Sequence, residues 1–229
     1  MKKSLNIVNI IFLLASLFLT SNLYAKADNP LEAIQTIMTA LEKDLLADQQ
    51  KLKANPEYTS GILEKHILPI INFKIMSQYV LGKHWRKATK LEQQEFNRLF
   101  SQLLIRFYTK AFIEYVKTNN IHSGMIEFLP YHAKENSKQA RIKTKLKLTP
   151  SSPPIAVNYS LYNSKKSGWK AYDISVEGIS LVTTYRSSFD QIIKQSKMPG
   201  LLKHIQEKID NIQVKNQKTE QSAKNTSNK

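Results

Sequence analysis

One segment of this chain changes from a strand pattern to a helix pattern: Trp169-Lys-Ala-Tyr-Asp-Ile-Ser-Val-Glu-Gly-Ile-Ser-Leu-Val-Thr-Thr-Tyr-Arg-Ser-Ser-Phe189. Its first part predicts a half-buried strand, because apolar residues recur at every second position, namely Tyr172, Ile174 and Val176. After Gly178 the apolar residues recur at helical spacing instead: Val182, Tyr185, Phe189 and Ile192. The segment therefore predicts a last strand that turns directly into an amphipathic helix. An ordinary strand–turn–helix corner of any α+β domain would give the same pattern.

The first half of the chain predicts helices, whose starts carry capping residues. Asn29-Pro30-x-Glu32 and Asn55-Pro56-Glu57 combine an N-cap with a proline in the first turn, and Thr89-x-x-Glu92 is a capping box. The first of these helices has one apolar face, consisting of Leu31, Ile34, Met38, Leu41 and Leu45. The second ends near Pro69, a third covers about 72–81, and a long fourth helix runs from Thr89 to about Lys117.

The long helix is apolar over an unusually wide arc. Its apolar residues spread over roughly 200° of the circumference, whereas a helix with one buried side shows a stripe of somewhat over 100°. They are Phe96, Leu99, Phe100, Leu103, Leu104, Phe107, Tyr108, Ala111, Phe112, Tyr115 and Val116. Either neighbouring helices or a bound apolar ligand must cover the excess.

The second half predicts an antiparallel meander, because short turns separate the strands. The predicted strands are residues 125–131, 140–148, 155–161 and the one that begins at Trp169. Two helices, about 180–197 and 200–212, then close the chain around Met198-Pro199-Gly200. The sequence thus predicts an α+β fold: a curved antiparallel β-meander with one face covered by N- and C-terminal helices.

The two ends of the chain differ from the middle. Residues 1–27 predict a cleaved signal peptide, with a basic start, an apolar core and Ala25 and Ala27 before the cut; cleavage after residue 25 is the alternative. Residues 28–213 are expected to form a single domain. Residues 214–229 are rich in Lys, Gln, Asn, Ser and Thr and predict a disordered basic, polar tail.

Composition and spacing exclude several chemistries. The chain has no cysteine, which rules out thiol and disulfide chemistry, and its histidines lack metal-ligand spacing. In a cytosolic protein, the net charge of +16 would indicate binding to nucleic acid. For an exported protein we expect anionic lipids or acidic proteins as the partners of this charge. The stretch Gly178-Ile-Ser180-Leu-Val182 resembles the G-x-S-x-G motif of a nucleophile elbow but lacks its second glycine. We therefore expect Ser180 to be a helix N-cap or to contact a lipid headgroup, and not to be a catalytic nucleophile. We predict no enzyme activity, no metal and no cofactor.

Several motifs together resemble one family. They are Trp169-x-x-Tyr-Asp-x-x-x-Glu-Gly-x-Ser-Leu-x-x-x-Tyr-Arg-x-x-Phe189, Asn55-Pro-Glu-Tyr58, Leu68-Pro-x-x-Asn-Phe73 and Tyr79-Val-Leu-Gly-x-x-Trp85. This set is similar to the MlaC (toluene-tolerance) family of periplasmic phospholipid carriers, and the similarity covers about residues 28–210. The resemblance implies a modified NTF2-like fold that encloses an apolar cavity, with a phospholipid as cargo.

The resemblance also implies partners and a role. These are an inner-membrane ABC transporter with an MCE-domain protein and an outer-membrane lipoprotein–porin complex, with the chain itself a soluble periplasmic monomer that binds no nucleic acid. The implied role is to shuttle phospholipid between the two membranes and so maintain outer-membrane lipid asymmetry. A periplasmic chaperone for lipoprotein acyl chains and an NTF2-like enzyme acting through Asp173 or Ser180 are the alternatives. Asp173, however, is predicted to point away from the apolar face.

Candidate site residues come from the apolar faces of the predicted helices and strands. For the cavity wall they are Val80, Leu81, Phe100, Leu104, Phe107, Tyr108, Phe112, Ile142, Leu146, Val157, Tyr159, Tyr172, Ile174, Leu181 and Val182. Each could equally contact protein neighbours only. For docking to acidic partner surfaces the candidates are Trp85, Arg141, Lys143, Lys145 and Lys147. A core anchor for Trp85 and a solvated face for the four cations are the plainer interpretations.

Overall fold

A computed structural model of the chain describes residues 29–132 and 137–227, and the predicted signal peptide, residues 1–27, lies outside them. The helices are α1 (Pro30–Ala47), α2 (Gln49–Ala54), α3 (Pro56–Ile67), α4 (Phe73–Leu81), α5 (Lys90–Thr118) and α6 (Leu181–Ser227). Two 3₁₀ turns, Leu68–Ile70 and Gly82–His84, flank α4. The strands are β1 (Ile126–Phe128), β2 (Gln139–Leu146), β3 (Ile155–Ser164), β4 (Gly168–Val176) and β5 (Ile179–Ser180). This arrangement confirms the α+β prediction.

The predicted helix starts are confirmed by their caps. The side chains of Asn29, Asn55 and Asn72 each accept a hydrogen bond from a backbone N–H of the first turn that follows. Thr89 and Glu92 form the reciprocal capping box at the start of α5. One feature was not predicted: the chain bends at Asp48, whose carboxylate caps α2.

The five strands form one antiparallel sheet in the order β1-β2-β3-β4-β5, as the meander prediction requires. β1 is shorter than predicted and ends at Phe128, although the Leu129 N–H still donates a hydrogen bond to the Lys143 carbonyl. β5 was not predicted. Glu177 and Gly178, with φ of 48° and 80°, form a two-residue turn that pairs Ile179 with Val176 before α6 begins.

A β-bulge changes the direction of one predicted site residue. Ser160 pairs with Asp173 but Leu161 pairs with Ala171, so Tyr172 is an extra residue on β4. The prediction that Tyr172 lies in line with Ile174 is therefore wrong. Ile174 packs against the buried face of the sheet, whereas the Tyr172 ring stacks on Tyr79 of α4, with 4.9 Å between the ring centroids.

Two separate hydrophobic cores lie along α5. The helical core joins α4, the first half of α5 and α6, and includes Phe96, Phe100, Leu201 and Ile205. The sheet core joins α1, α3, the C-terminal end of α5 and the inner face of the sheet. The inner face is the one formed by Ile142, Val157, Tyr159, Leu161 and their cross-strand neighbours. α5 serves both cores, which accounts for its wide apolar arc except at Phe107 and Tyr108, which belong to neither core.

The last helix differs from its prediction at one point. α6 is interrupted at Lys197, with φ of 60° and ψ of −171°, one residue before the predicted break at Met198-Pro199-Gly200. The backbone continues as a helix through Ser227. The disordered tail expected for residues 214–229 stays a prediction.

Within the described residues, no helix combines the length and the apolar character that crossing a membrane requires.

Candidate functional site

An open apolar groove of about 610 Å³ runs between α1, the C-terminal part of α5 and the edge of the sheet formed by β1 and β2. Its lining consists of Gln35, Thr36, Met38, Thr39, Leu41, Glu42, Leu45, Phe112, Ile121, Met125, Ile126, Phe128 and Leu146. Ile126 and Leu146 are direct cross-strand partners, so the β1 side and the β2 side of the groove belong to the same sheet face. The short β1 strand leaves this end of the sheet core uncovered.

Polar contacts hold the walls of the groove in place at its ends. The carboxylate of Glu42 on α1 accepts a hydrogen bond from the backbone N–H of Gly124, at 2.5 Å. The Gln49 side chain donates to the carbonyl of Ile121 and accepts from its N–H, at 2.8 and 3.1 Å. These contacts fix the loop before β1 against α1 and α2, so the groove is a preformed feature of the fold.

The volume of the groove corresponds to about one fatty-acyl chain. Pockets for small organic ligands span about 300–1,000 Å³. A methylene group is similar in size to a water molecule, whose share of liquid volume is about 30 Å³, so a sixteen-carbon chain occupies roughly 480 Å³. The groove of about 610 Å³ can take one such chain without a change in the fold.

The strand–helix corner around Asp173 is a capping site. Asp173 accepts hydrogen bonds from the Ser180 hydroxyl at 2.7 Å and from the Val182 N–H at 3.1 Å, and the Ser180 oxygen accepts one from the Thr183 N–H. Both residues named in the enzyme alternative thus satisfy the orphan N–H groups at the start of α6. The N-cap interpretation of Ser180 is confirmed.

Two histidines join helices through carboxylates. His66 of α3 contacts Asp44 of α1 at 2.7 Å, and His84 contacts Asp190 of α6 at 2.7 Å. Hydrogen bonds from Lys65 and then His66 lower the pKa of Asp44 to about 2. Among residues 29–132 and 137–227, no group of acidic and histidine side chains could hold a metal ion.

The sequence model of the MlaC protein family matches residues 35–207, which is most of the chain. The chain belongs to the MlaC family. This confirms the resemblance carried by the motifs around Trp169, Asn55, Leu68 and Tyr79.

Two curated MlaC relatives and one solved structure are similar over most of their lengths. The Haemophilus influenzae intermembrane phospholipid transport system binding protein MlaC is 22% identical over 197 residues, covering 86% of this chain and 89% of that protein. The toluene tolerance protein ttg2D of Pseudomonas putida is 27% identical over 172 residues, covering 74% and 75%. A phospholipid-binding protein from Ralstonia solanacearum, solved in complex with a phospholipid, matches with a TM-score of 0.68 at 24% identity, covering 80% of this chain and 98% of that one. This likeness shows that the folds agree.

The predicted cavity residues of this MlaC chain take several different positions. Only Phe112 and Leu146 line the groove. Val80, Leu81, Phe100, Leu104 and Val182 lie in the helical core, and Ile142, Val157, Tyr159 and Ile174 lie in or against the sheet core. Leu181 is half-buried at the start of α6, and Tyr172 faces away from the inner face of the sheet.

Phe107 and Tyr108 remain exposed on α5. Their exposed fractions are 51% and 42%, and the rings pack edge to face with centroids 5.2 Å apart. The pKa of Tyr108 is raised to about 12, mainly by burial of the phenol and to a smaller extent by the neighbouring Tyr185. The hydroxyl is thus more desolvated than the exposure of the whole residue indicates.

Most of the groove was missed by the sequence prediction. The residues missed are Met38, Leu41 and Leu45 of α1, together with Ile121, Met125, Ile126 and Phe128. The α1 residues could have been predicted, because apolar residues repeated at intervals of three and four form a helix face that must contact another apolar surface. The β1 residues could not, because a strand of three residues is too short to show an alternating pattern.

The residues predicted to dock partners take different positions. Trp85 is half-buried and packs against the helical core, in agreement with the core-anchor interpretation. Arg141, Lys143 and Lys147 are exposed on β2 and just after it, and Lys145 lies 4.0 Å from Glu127.

Proposed function

We propose that this chain is a soluble periplasmic phospholipid carrier that makes and breaks no covalent bond. It would shuttle phospholipid between the outer and inner membranes and so maintain outer-membrane lipid asymmetry. The observation that carries the proposal is the open apolar groove in a member of the MlaC family. The names of the Haemophilus and Ralstonia proteins support phospholipid as the cargo.

The physical need for such a carrier follows from the cost of exposing acyl chains to water. Each exposed methylene costs about 0.8 kcal/mol, so a sixteen-carbon chain costs on the order of 12 kcal/mol. A groove that covers most of one chain removes much of that barrier. A second chain would need further space, which movement of α1 away from the sheet can supply.

An open groove suits a protein that must also release its cargo. The rim is polar, with Gln35, Thr39 and Glu42 on α1, and the floor is apolar, with Ile126 and Leu146 on the sheet. A lipid can enter sideways along such a groove, with its polar head outside the apolar floor. If the free energy of a lipid in the groove is close to its free energy in a bilayer, and not much lower, the carrier can release the lipid to a membrane.

Net direction has to come from partner proteins, since the chain itself supplies no energy source. We propose an inner-membrane ABC transporter with an MCE-domain protein at one end and an outer-membrane lipoprotein–porin complex at the other. Of the basic residues on β2 and just after it, Lys145 and Lys147 are the proposed contacts with them. The basic, apolar and small-residue pattern of residues 1–27 supports export to the periplasm.

Native mass spectrometry of the gently purified protein tests the carrier proposal. We expect a mass increase corresponding to about one phospholipid per chain and uptake of lipid from vesicles by protein that has been stripped of it. Protein that purifies without lipid and takes up none would reject the proposal. Stable complexes with acylated peptides in place of phospholipid would favour the lipoprotein-chaperone alternative.

A further inference from the structure

A second pocket, of about 520 Å³, lies on the outer face of the sheet, opposite the sheet core. Its lining residues include two cations, Arg141 and Lys143 of β2, and the hydroxyls of Tyr131, Ser160 and Tyr172. Arg141 pairs with Ser160 and Lys143 with Asn158 across β2 and β3, so the cations stand side by side on one face. We call this the basic pocket.

The two cations have no acidic partner among residues 29–132 and 137–227. Neither Arg141 nor Lys143 takes part in an ion pair there, whereas Lys145 on the same strand lies near Glu127. No described carboxylate lines the basic pocket. Asp173, which follows Tyr172 on β4, accepts hydrogen bonds at the start of α6.

Hydroxyl groups in the pocket add neutral donors beside the positive charges. The Tyr172 ring stacks on Tyr79, and its side chain lines the pocket together with Ser160 and Arg141. The β-bulge at Tyr172 is what turns this residue away from the sheet core and towards the outer face. A guanidinium, an ammonium and hydroxyl donors are the groups with which proteins bind phosphate.

The basic pocket and the apolar groove meet at one edge of the sheet. Phe128 lines the groove and Pro130 lines the basic pocket. The two Cα atoms are separated by at most about 7 Å of extended chain. β1 is the edge strand of the sheet and is three residues long, so the two faces are close to each other at this edge.

We propose that the basic pocket binds the phosphate group of the phospholipid whose acyl chain occupies the apolar groove, an inference that rests on the proposed carrier function. The lipid would lie around the β1 edge, with its chain on the inner face and its phosphate against Arg141 and Lys143. Both cations are exposed, so solvent screens the contact and keeps it weak. Such a contact orients the cargo without preventing its release.

The test compares two double variants that remove the same charge from the same face of β2 and its extension. R141Q/K143Q removes the pocket cations, and K145Q/K147Q is the matched control outside the pocket. Stripped protein is incubated with vesicles that contain phosphatidylglycerol and a diacylglycerol with the same chains, and native mass spectrometry gives the ratio of the two bound lipids. We expect R141Q/K143Q to shift this ratio towards diacylglycerol by about three- to tenfold, the size expected of two exposed charge contacts. The control should leave it unchanged.

Several outcomes would overturn the inference. If wild-type protein binds neither lipid, the carrier proposal itself fails. If it binds both and the ratio is unchanged in R141Q/K143Q, or shifts equally in the two double variants, only the phosphate assignment fails. Broadening of the ³¹P resonance of glycerol 3-phosphate that needs Arg141 and Lys143, together with an unchanged lipid ratio, would show a site for free phosphate esters. Loss of binding to an acidic partner protein without a change in lipid ratio would make the pocket a protein-docking site.

Discussion

Replacing Ile126 with glutamine places a polar side chain in the floor of the apolar groove. Ile126 is half-buried on β1 and faces Leu146 across the groove side of the sheet. In the empty protein the new amide can remain in water, so the fold should lose no more than about 1 kcal/mol, the span of strand propensities. With lipid bound, the amide is buried without a partner, which costs about 1–3 kcal/mol. At 1.4 kcal/mol per factor of ten, phospholipid should bind roughly five- to 150-fold more weakly.

The matched control is Glu127→Gln, one residue along the same strand. Glu127 is exposed on the opposite face and lies 4.0 Å from Lys145, so its loss should change lipid affinity little. Affinity is measured by displacement of a fluorescent fatty acid by phospholipid, and thermal unfolding by circular dichroism checks that both variants remain folded. Equal affinities for folded Ile126→Gln and Glu127→Gln would refute the assignment of the groove as the acyl-chain site.

Three further predictions concern stability. Phe96 is fully buried in the helical core, so Phe96→Ala should lower the free energy of unfolding by about 3–5 kcal/mol; in urea unfolding, a loss below 1 kcal/mol would contradict the helical core as described. Asp173→Ala removes two hydrogen bonds at the start of α6 and should cost about 0.5–2 kcal/mol, and loss of a catalytic turnover in a variant that remains stable would instead favour the enzyme alternative. The folded-state pKa of Asp44 is lowered to about 2, beneath the ordinary value of about 3.9, so its contribution to stability is present above pH 4 and is lost as the pH falls towards 2. The difference in urea midpoint between pH 5 and pH 3 should therefore be smaller in Asp44→Asn than in the wild type, and equal differences would exclude the contribution.

Local sequence signals predicted the elements of this fold where a single residue determines the geometry. Asn55-Pro56 and Thr89-x-x-Glu92 mark helix starts because an N-cap and a capping box satisfy N–H groups that nothing else nearby can reach. The alternation of polar and apolar residues along β2 predicted its two faces correctly. Arg141 and Lys143 are exposed, and Ile142 between them is fully buried. Each of these signals acts over three or four residues and needs no knowledge of the tertiary structure.

The misassigned residues are those whose environment depends on a distant part of the chain. The alternation along β4 places Tyr172 on the inner face, but the bulge opposite Ser160 and Leu161 turns it outward. A bulge depends on how two strands pair, so the sequence of β4 alone could not predict it. Val80 and Phe100 were named as candidates for the cavity wall that could equally contact protein neighbours only, and the local pattern does not decide between these. Their true neighbours come from α6, more than 80 residues later in the chain for Phe100.

Division into two cores explains how a small domain can combine a firm frame with an adaptable groove. The helical core joins α4, α6 and the first half of α5 around stacked aromatic rings, with Phe96 and Phe100 at 5.4 Å and both packed edge to face on Phe189. The groove lies beside the other core, where α1 meets a sheet edge through apolar side chains and few polar contacts. α1 contributes residues to the sheet core and none to the helical core, whereas α5 contributes to both. No described residue of the helical core lines the groove, so a lipid bound there would contact α1 and the sheet core and leave the aromatic cluster undisturbed.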